Sequence, residues 1–349
     1  MPKNLCYIIT LSLIVNESNK TVKLQLKFGL FLSTISLLSF ISYAQAETKV
    51  VASIKPLHSL VSYVMDGAGT PNILVDGNAS PHTFQLKPSH ASMLQEADIV
   101  FWIGEDLEAF LETPLDSIAK NAKRVTLMES EEIELLKFRE KNIFGGHDEH
   151  DEHDEHDGHD EHDEHDEHDE HDEHDEHDGH AHGEYDIHFW LDPEIAKTIV
   201  KIVAREISEI DPANKSTYNT NALKALDDLD QLISETRGKI NKDATYVVFH
   251  DAYQYFERSF GIEVLGALTV NPEVLPGAKQ LAEIREVIEH ENVNCLFSEP
   301  QFNPSIAETI AQDTGVKAAI LDPLGAELDP GKDLYFDLIE DMASSFESC

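Results

Sequence analysis

The stretch Thr245-Tyr246-Val247-Val248-Phe249-His250-Asp251 decides the reading of this chain. Thr245–Phe249 is β-branched and aromatic without a polar break, and it then runs straight into a histidine and an aspartate. Such a short continuous run suits a strand covered on both faces, as in a parallel sheet, where neither face needs polar residues. Working outward, Glu263–Gly266, Asn294–Phe297 and Ala318–Leu321 share this character. Helical patterns at Ala252–Phe260, Ala278–Glu289 and Asn303–Thr314 separate them, the last closed by Gly315. The first half repeats the grammar, with strands expected at Lys49–Ile54, Asn72–Val75, Asp98–Ile103 and Arg124–Leu127. Between those come helices at Leu57–Met65 and Ser89–Glu96, and a short one from Leu107 that should break before Pro114. Alternating strand and helix, twice over, predicts an α/β protein of two lobes, each a mostly parallel sheet flanked by helices.

Residues 211–242 run between the lobes. Leu223, Leu226, Leu229 and Leu232-Ile233 recur there at helical spacing, and no proline follows Pro212. A helix of roughly 25–30 residues would span roughly 40 Å, so one long rigid helix is expected to join the lobes. The resulting organisation is 1–46, an N-terminal lobe 47–210, the linking helix 211–242 and a C-terminal lobe 243–349.

The charge is large and uneven. The 349 residues hold 26 Lys+Arg against 67 Asp+Glu, a formal net charge of −41. Residues 147–182 contain thirteen of the 19 histidines and twenty acids, with no Lys or Arg. Histidine recurs there every third residue, a period that fits neither a helix stripe nor a strand face, and large apolar residues are absent. A disordered, solvated His/Asp/Glu-rich insert within the first lobe is expected. So acidic a chain is not built to bind nucleic acid, because phosphate contacts need clustered Lys and Arg.

Phe28–Ala46 carries no charge, follows Lys20, Lys23 and Lys27, and ends in Ala44-Gln45-Ala46. Basic flank, apolar run and small residues at an A-x-A site predict a cleaved secretory signal peptide, with an uncleaved anchor as the competing reading. Cys6 lies in the segment that would be discarded. Cys295 and Cys349 remain, an even pair in an exported chain, which suggests one disulfide over two free thiols.

Motifs for nucleotide binding and acyl transfer are absent, and His290-Glu291 lacks the second histidine of a zincin, Asn294 standing in its place. Outside the insert only His58, His82, His90, His188, His250 and His290 remain. His58, His90 and His290 fall within helical patterns and read as structural or surface residues. His82, His188 and His250 fall at strand ends or in loops, where open α/β sheets place ligands. With Asp322, at the end of the last strand, they could close tetrahedrally on a borderline-soft cation; a turn role before Pro323 competes for Asp322.

Five stretches carry a family resemblance: Ser80-Pro81-His82-Thr83-Phe84-Gln85-Leu86-Lys87-Pro88-Ser89, His188-Phe189-Trp190-Leu191-Asp192-Pro193, Phe249-His250-Asp251-Ala252-Tyr253, Ser298-Glu299-Pro300-Gln301-Phe302 and Leu321-Asp322-Pro323-Leu324-Gly325. Together they resemble the zinc-uptake solute-binding proteins of bacterial ABC importers, the ZnuA type. The resemblance implies two lobes joined by one rigid helix with a metal in the cleft, and His82, His188 and His250 as its ligands. It leaves the fourth position to water, a nearby carboxylate or Asp322. Some relatives place a glutamate just before the first histidine; Pro81 stands there in this chain. Cys295 and Cys349 match positions that pair in relatives.

The expected function is therefore capture of Zn²⁺ in the periplasm and delivery to a membrane permease, by a monomer that catalyses nothing. Three imidazoles favour zinc over manganese, which prefers octahedral oxygen. Two readings compete. One is a zinc buffer or chaperone acting mainly through the insert. The other is an exported zinc hydrolase, for which Glu299 is the one candidate base, although it fits better as a partner of a ligating histidine.

Overall fold

The structure, a computed structural model, describes residues 47–139, 183–240, 242, 244–269, 271–272, 274 and 276–349. The expected signal peptide and the histidine-rich insert lie outside the described residues. The first sheet has the order β2-β1-β3-β4, built from β1 (Val50–Ile54), β2 (Asn72–Val75), β3 (Ile99–Trp102) and β4 (Lys123–Thr126). All three pairings are parallel. Helices α1 (Lys55–Met65), α2 (Pro88–Glu96) and α3 (Glu105–Ser117) alternate with the strands. The second sheet repeats the plan as β6-β5-β7-β8, with β5 (Tyr246–His250), β6 (Val264–Thr269), β7 (Cys295–Ser298) and β8 (Lys317–Ile320), again all parallel. Its helices are α6 (Gln254–Phe260), α7 (Ala278–His290) and α8 (Ser305–Thr314), while α4 (Pro193–Ile210), α5 (Lys215–Arg237) and α9 (Leu334–Glu347) complete the chain. Two parallel four-stranded sheets flanked by helices are the expected α/β class.

The first strand of each sheet behaves as a doubly covered strand, whereas the edge strand β8, expected to share that character, is mostly exposed. All five residues of β1 and all five of β5 are buried. Gly315 ends α8 with φ 76°, a left-handed conformation that glycine adopts without steric cost. Cys295, at the start of β7, is bridged to Cys349 with a Cα–Cα distance of 5.9 Å.

Three features depart from the sequence reading. Pro114 does not stop α3. The chain kinks instead at Glu108 (φ −121°, ψ 51°) and Pro114 lies within the following turns. Glu108 is fully buried, and its carboxylate accepts the Ile103 and Gly104 amides at 2.8 and 3.1 Å, so a side chain rather than the proline sets the break. Second, α4 is a full 18-residue helix, capped by Asp192, whose side chain accepts the Glu194 amide, with Pro193 in its first turn.

Third, the long helix is not the sole tie between the lobes. Helix α5 has 23 residues, about 35 Å, and packs along α4, α1 and α9. Helix α9 also crosses both lobes. Its Tyr335 amide donates to the Ser59 hydroxyl on α1, while Phe346 packs against Tyr246, Phe256 and Phe297 of the second lobe. One apolar core therefore runs continuously from Val50 to Phe346 through both sheets. A second, smaller one lies under α7 and α8. Among the described residues no helix is long and apolar enough to cross a membrane.

Candidate metal centre

Residues after β2, β7 and β8, at the end of β5 and ahead of α4 line one small cavity, and the ligand candidates arrive there from different elements. His250 is the last residue of β5. His82 lies in the connection between β2 and α2, and His188 opens the short helical turn Phe189–Leu191 ahead of α4. Each offers one ring nitrogen to a group whose members all lie within 4.8 Å of one another. The His188 and His250 Nε2 atoms are 3.3 Å apart. Two nitrogens bound tetrahedrally at about 2.0–2.1 Å from one zinc ion are themselves about 3.3 Å apart, so these two already sit at coordinating distance.

The other ring nitrogens explain why. His188 Nδ1 donates to Asp186 Oδ1 at 2.8 Å, and His250 Nδ1 donates to Glu299 Oε1 at 2.7 Å. A carboxylate on Nδ1 fixes both ring orientation and tautomer, leaving the Nε2 lone pair to face the cleft. Asp186 is anchored in turn, accepting the His188 amide and the Gln254 side chain. Tyr255 supports the same segment by donating to the Asp186 carbonyl. Burial holds the His188 imidazole below the usual range, against the pull of Asp186. For His250 burial acts in the same direction, but the charge and hydrogen bond of Glu299, with Asp251 and Asp186 behind, raise it overall. His188 and His250 are 3% and 2% exposed, whereas His82 is only half-buried.

The space between these residues is about 10 Å³, closed by Ser80, Pro81, Trp190, Phe302, Pro323 and Leu324. That volume admits one water molecule at most and no organic solute, and an ion would sit beside it among the three ring nitrogens. Trp190 ties the wall together, donating from its indole to the Pro323 carbonyl while its own carbonyl accepts the Tyr335 hydroxyl.

The remaining sequence candidates do other work. His58 donates to the Pro71 carbonyl from a buried position, and His90 Nδ1 accepts the Lys87 amide at the start of α2. His290 is exposed at the end of α7, where a basic group favours the helix terminus. Asp322 lies outside the converging group: its Oδ1 accepts the Leu324 amide and the Gln301 side chain, and its Oδ2 accepts the Ala326 amide. Both oxygens are engaged in the turn that follows β8, the role that competed for it in the sequence. Glu299 holds His250 Nδ1 through Oε1 and lines the same cavity. Sequence reasoning missed Asp186, although the spacing Asp186-Ile187-His188 was on view.

A two-lobed protein with buried, oriented imidazoles around a space for one ion is a solute-binding protein whose solute is a metal. Residues 50–349 match the profile of the family described as "Zinc-uptake complex component A periplasmic", ZnuA, and the chain belongs to that family. The "High-affinity zinc uptake system protein ZnuA" of Brucella abortus is 45% identical over 326 residues, covering 92% of this chain and 98% of the relative. The protein of the same description from Haemophilus influenzae is 40% identical, covering 91% and 97%. Among solved structures, a crystal structure of ZnuA superposes with a TM-score of 0.67 at 23% identity, covering 86% of this chain and 98% of that one. The binding protein FpvC of Pseudomonas aeruginosa in complex with Mn²⁺ also reaches 0.67, at 20% identity over 86% and 97%. The fold is thus shared by a protein described in complex with Mn²⁺.

Proposed function

We propose that this chain captures Zn²⁺ in the periplasm and delivers it to the permease of an ABC-type importer, with His82, His188 and His250 as the protein's ligands. The observation that carries this reading is the convergence of three imidazole nitrogens, two of them backed by buried carboxylates. Imidazole is a borderline donor, and three of them with one further position make the four-coordinate set that zinc favours. Manganese prefers six oxygen ligands and would meet none of them among these three side chains. The ion is cargo, so no catalytic step is assigned. The chain works as a monomer, exported by a signal peptide within residues 1–46, and has no nucleic-acid partner.

Competition between zinc and manganese for the dialysed mature protein tests the assignment. Zinc should bind with a stoichiometry of one tight ion per chain and displace manganese at equal concentration; tighter manganese binding would refute it.

A further inference from the structure

Gln301 lines the ion cavity together with the three histidines, in the connection between β7 and α8. Its Nε2 donates to Asp322 Oδ1 at 2.8 Å. A carboxylate accepts and does not donate, so this bond fixes which end of the amide is nitrogen and turns the oxygen the other way. Asp322 is itself held by the Leu324 and Ala326 amides and cannot follow a rotating side chain. Gln301 Oε1 is left buried with no hydrogen-bond partner among the described residues. A buried amide oxygen without a partner is costly, and one retained beside a ligand site calls for a partner that arrives with the ligand.

Three imidazoles leave one coordination position on a tetrahedral zinc ion, and in such sites water takes it. A metal-bound water points both hydrogens away from the ion and needs acceptors for them. We propose that Gln301 Oε1 accepts a hydrogen bond from the water in the fourth position, and that Asp322 is the positioning residue that holds the amide in that orientation. Asp322 thereby acts on the ion through Gln301 rather than as a ligand. This inference rests on the three-imidazole reading given above.

Gln301→Leu, which keeps the volume and removes the acceptor, tests it in the mature chain. Zinc affinity by chelator competition should fall about 10–100-fold, as for other partners of metal-bound groups. The visible spectrum of the Co²⁺-loaded protein should shift, because the fourth donor is altered while the three nitrogens remain. Asp322→Ala should produce a similar loss, and the double variant should be no weaker than Gln301→Leu alone. Unchanged zinc affinity with an unchanged cobalt spectrum in Gln301→Leu overturns the proposal, and so do fully additive losses in the double variant. If Asp322→Ala does not fold, Gln301→Leu decides alone. His250→Ala separates the two readings. Tight zinc binding that survives it sinks the three-imidazole site itself. Tight binding lost there but intact in Gln301→Leu sinks only the role of Gln301.

Discussion

The two sheets share one strand order, with the first strand of each lobe inside and the second at an edge, yet the C-terminal ends of their first strands are used in opposite ways. In the second lobe β5 ends in His250, whose imidazole faces the ion cavity. In the first lobe β1 runs directly into Lys55, which is 3% exposed and donates to the Ala326 and Leu328 carbonyls at 2.9 and 2.7 Å. Those carbonyls belong to the C-terminal part of the chain, so Lys55 clasps one lobe to the other. The open end of a parallel strand is where an α/β sheet presents its functional groups, and this molecule spends one such end on binding and the other on holding the binding geometry. The first lobe offers its candidate ligands, His82 and His188, from loops after the edge strand β2 and ahead of α4.

The largest effect should come from breaking this contrast at the binding end. His250→Ala should weaken zinc by roughly a thousandfold or more, beyond the 10–100-fold typical of losing a ligand's supporting partner. His90→Ala should leave zinc affinity unchanged, and a chelator competition series compares the two. Next in size is the disulfide. Replacing Cys295 and Cys349 by serine releases the end of α9 from the start of β7 and should cost about 2–4 kcal/mol of stability in denaturant unfolding. One zinc per chain should still bind, because neither cysteine lies at the cavity.

At the clasping end, Lys55→Met should lower stability by about 1–3 kcal/mol, since two carbonyls lose their donor. Its zinc stoichiometry should stay at one, which would sharpen the division of labour between the two strand ends; loss of zinc binding would erase it. The smallest effect is visible only against pH. Burial pushes Glu108 up to about 7 from 4.5, with the Ser53, Gly104 and Ile103 hydrogen bonds pulling it down. The folded chain therefore holds a proton that the unfolded chain releases between these values. This contribution is full below pH 4.5 and is lost as pH rises through 7. In Glu108→Gln, thermal unfolding of the metal-free protein should lose that part of the decline in stability between pH 5 and 7.

How much of this was legible in the sequence follows from its physical causes. The inner strands could be read because burial on both faces all but removes polar residues, and that composition needs no knowledge of partners. Val50–Ile54 and Tyr246–His250 are the clearest cases. His82, His188 and His250 stood out because each falls at a strand end or in a loop, outside the helical patterns that hold the other histidines, and the family motifs marked the same three. Helix α4 could have been read from Asp192-Pro193, a cap followed by a proline in the first turn, and was missed. The kink at Glu108 was not legible, because it depends on a carboxylate reaching back to amides at the end of β3. The same holds for Asp186 behind His188, for the engagement of both Asp322 oxygens in a turn, and for the double crossing of α9. Each is a matter of three-dimensional approach between residues whose types say little alone.

The central claim is that the tight site is the three-histidine cleft and owes nothing to the far more numerous histidines of 147–182. The flanks of that insert are already joined: Lys137 and Tyr185 form an antiparallel bridge, the Phe138 amide donates to the Glu184 carbonyl, and the Asp186 amide donates to the Leu136 carbonyl. Its excision should therefore leave Asp186 and His188 in place. The direct test is calorimetric zinc titration of the mature chain with and without 147–182. We expect the deletion to abolish a weak, multiple-site phase and to leave one tight zinc ion per chain at unchanged affinity. Loss of the tight phase with the insert, while His82, His188 and His250 remain, would contradict the assignment of the site.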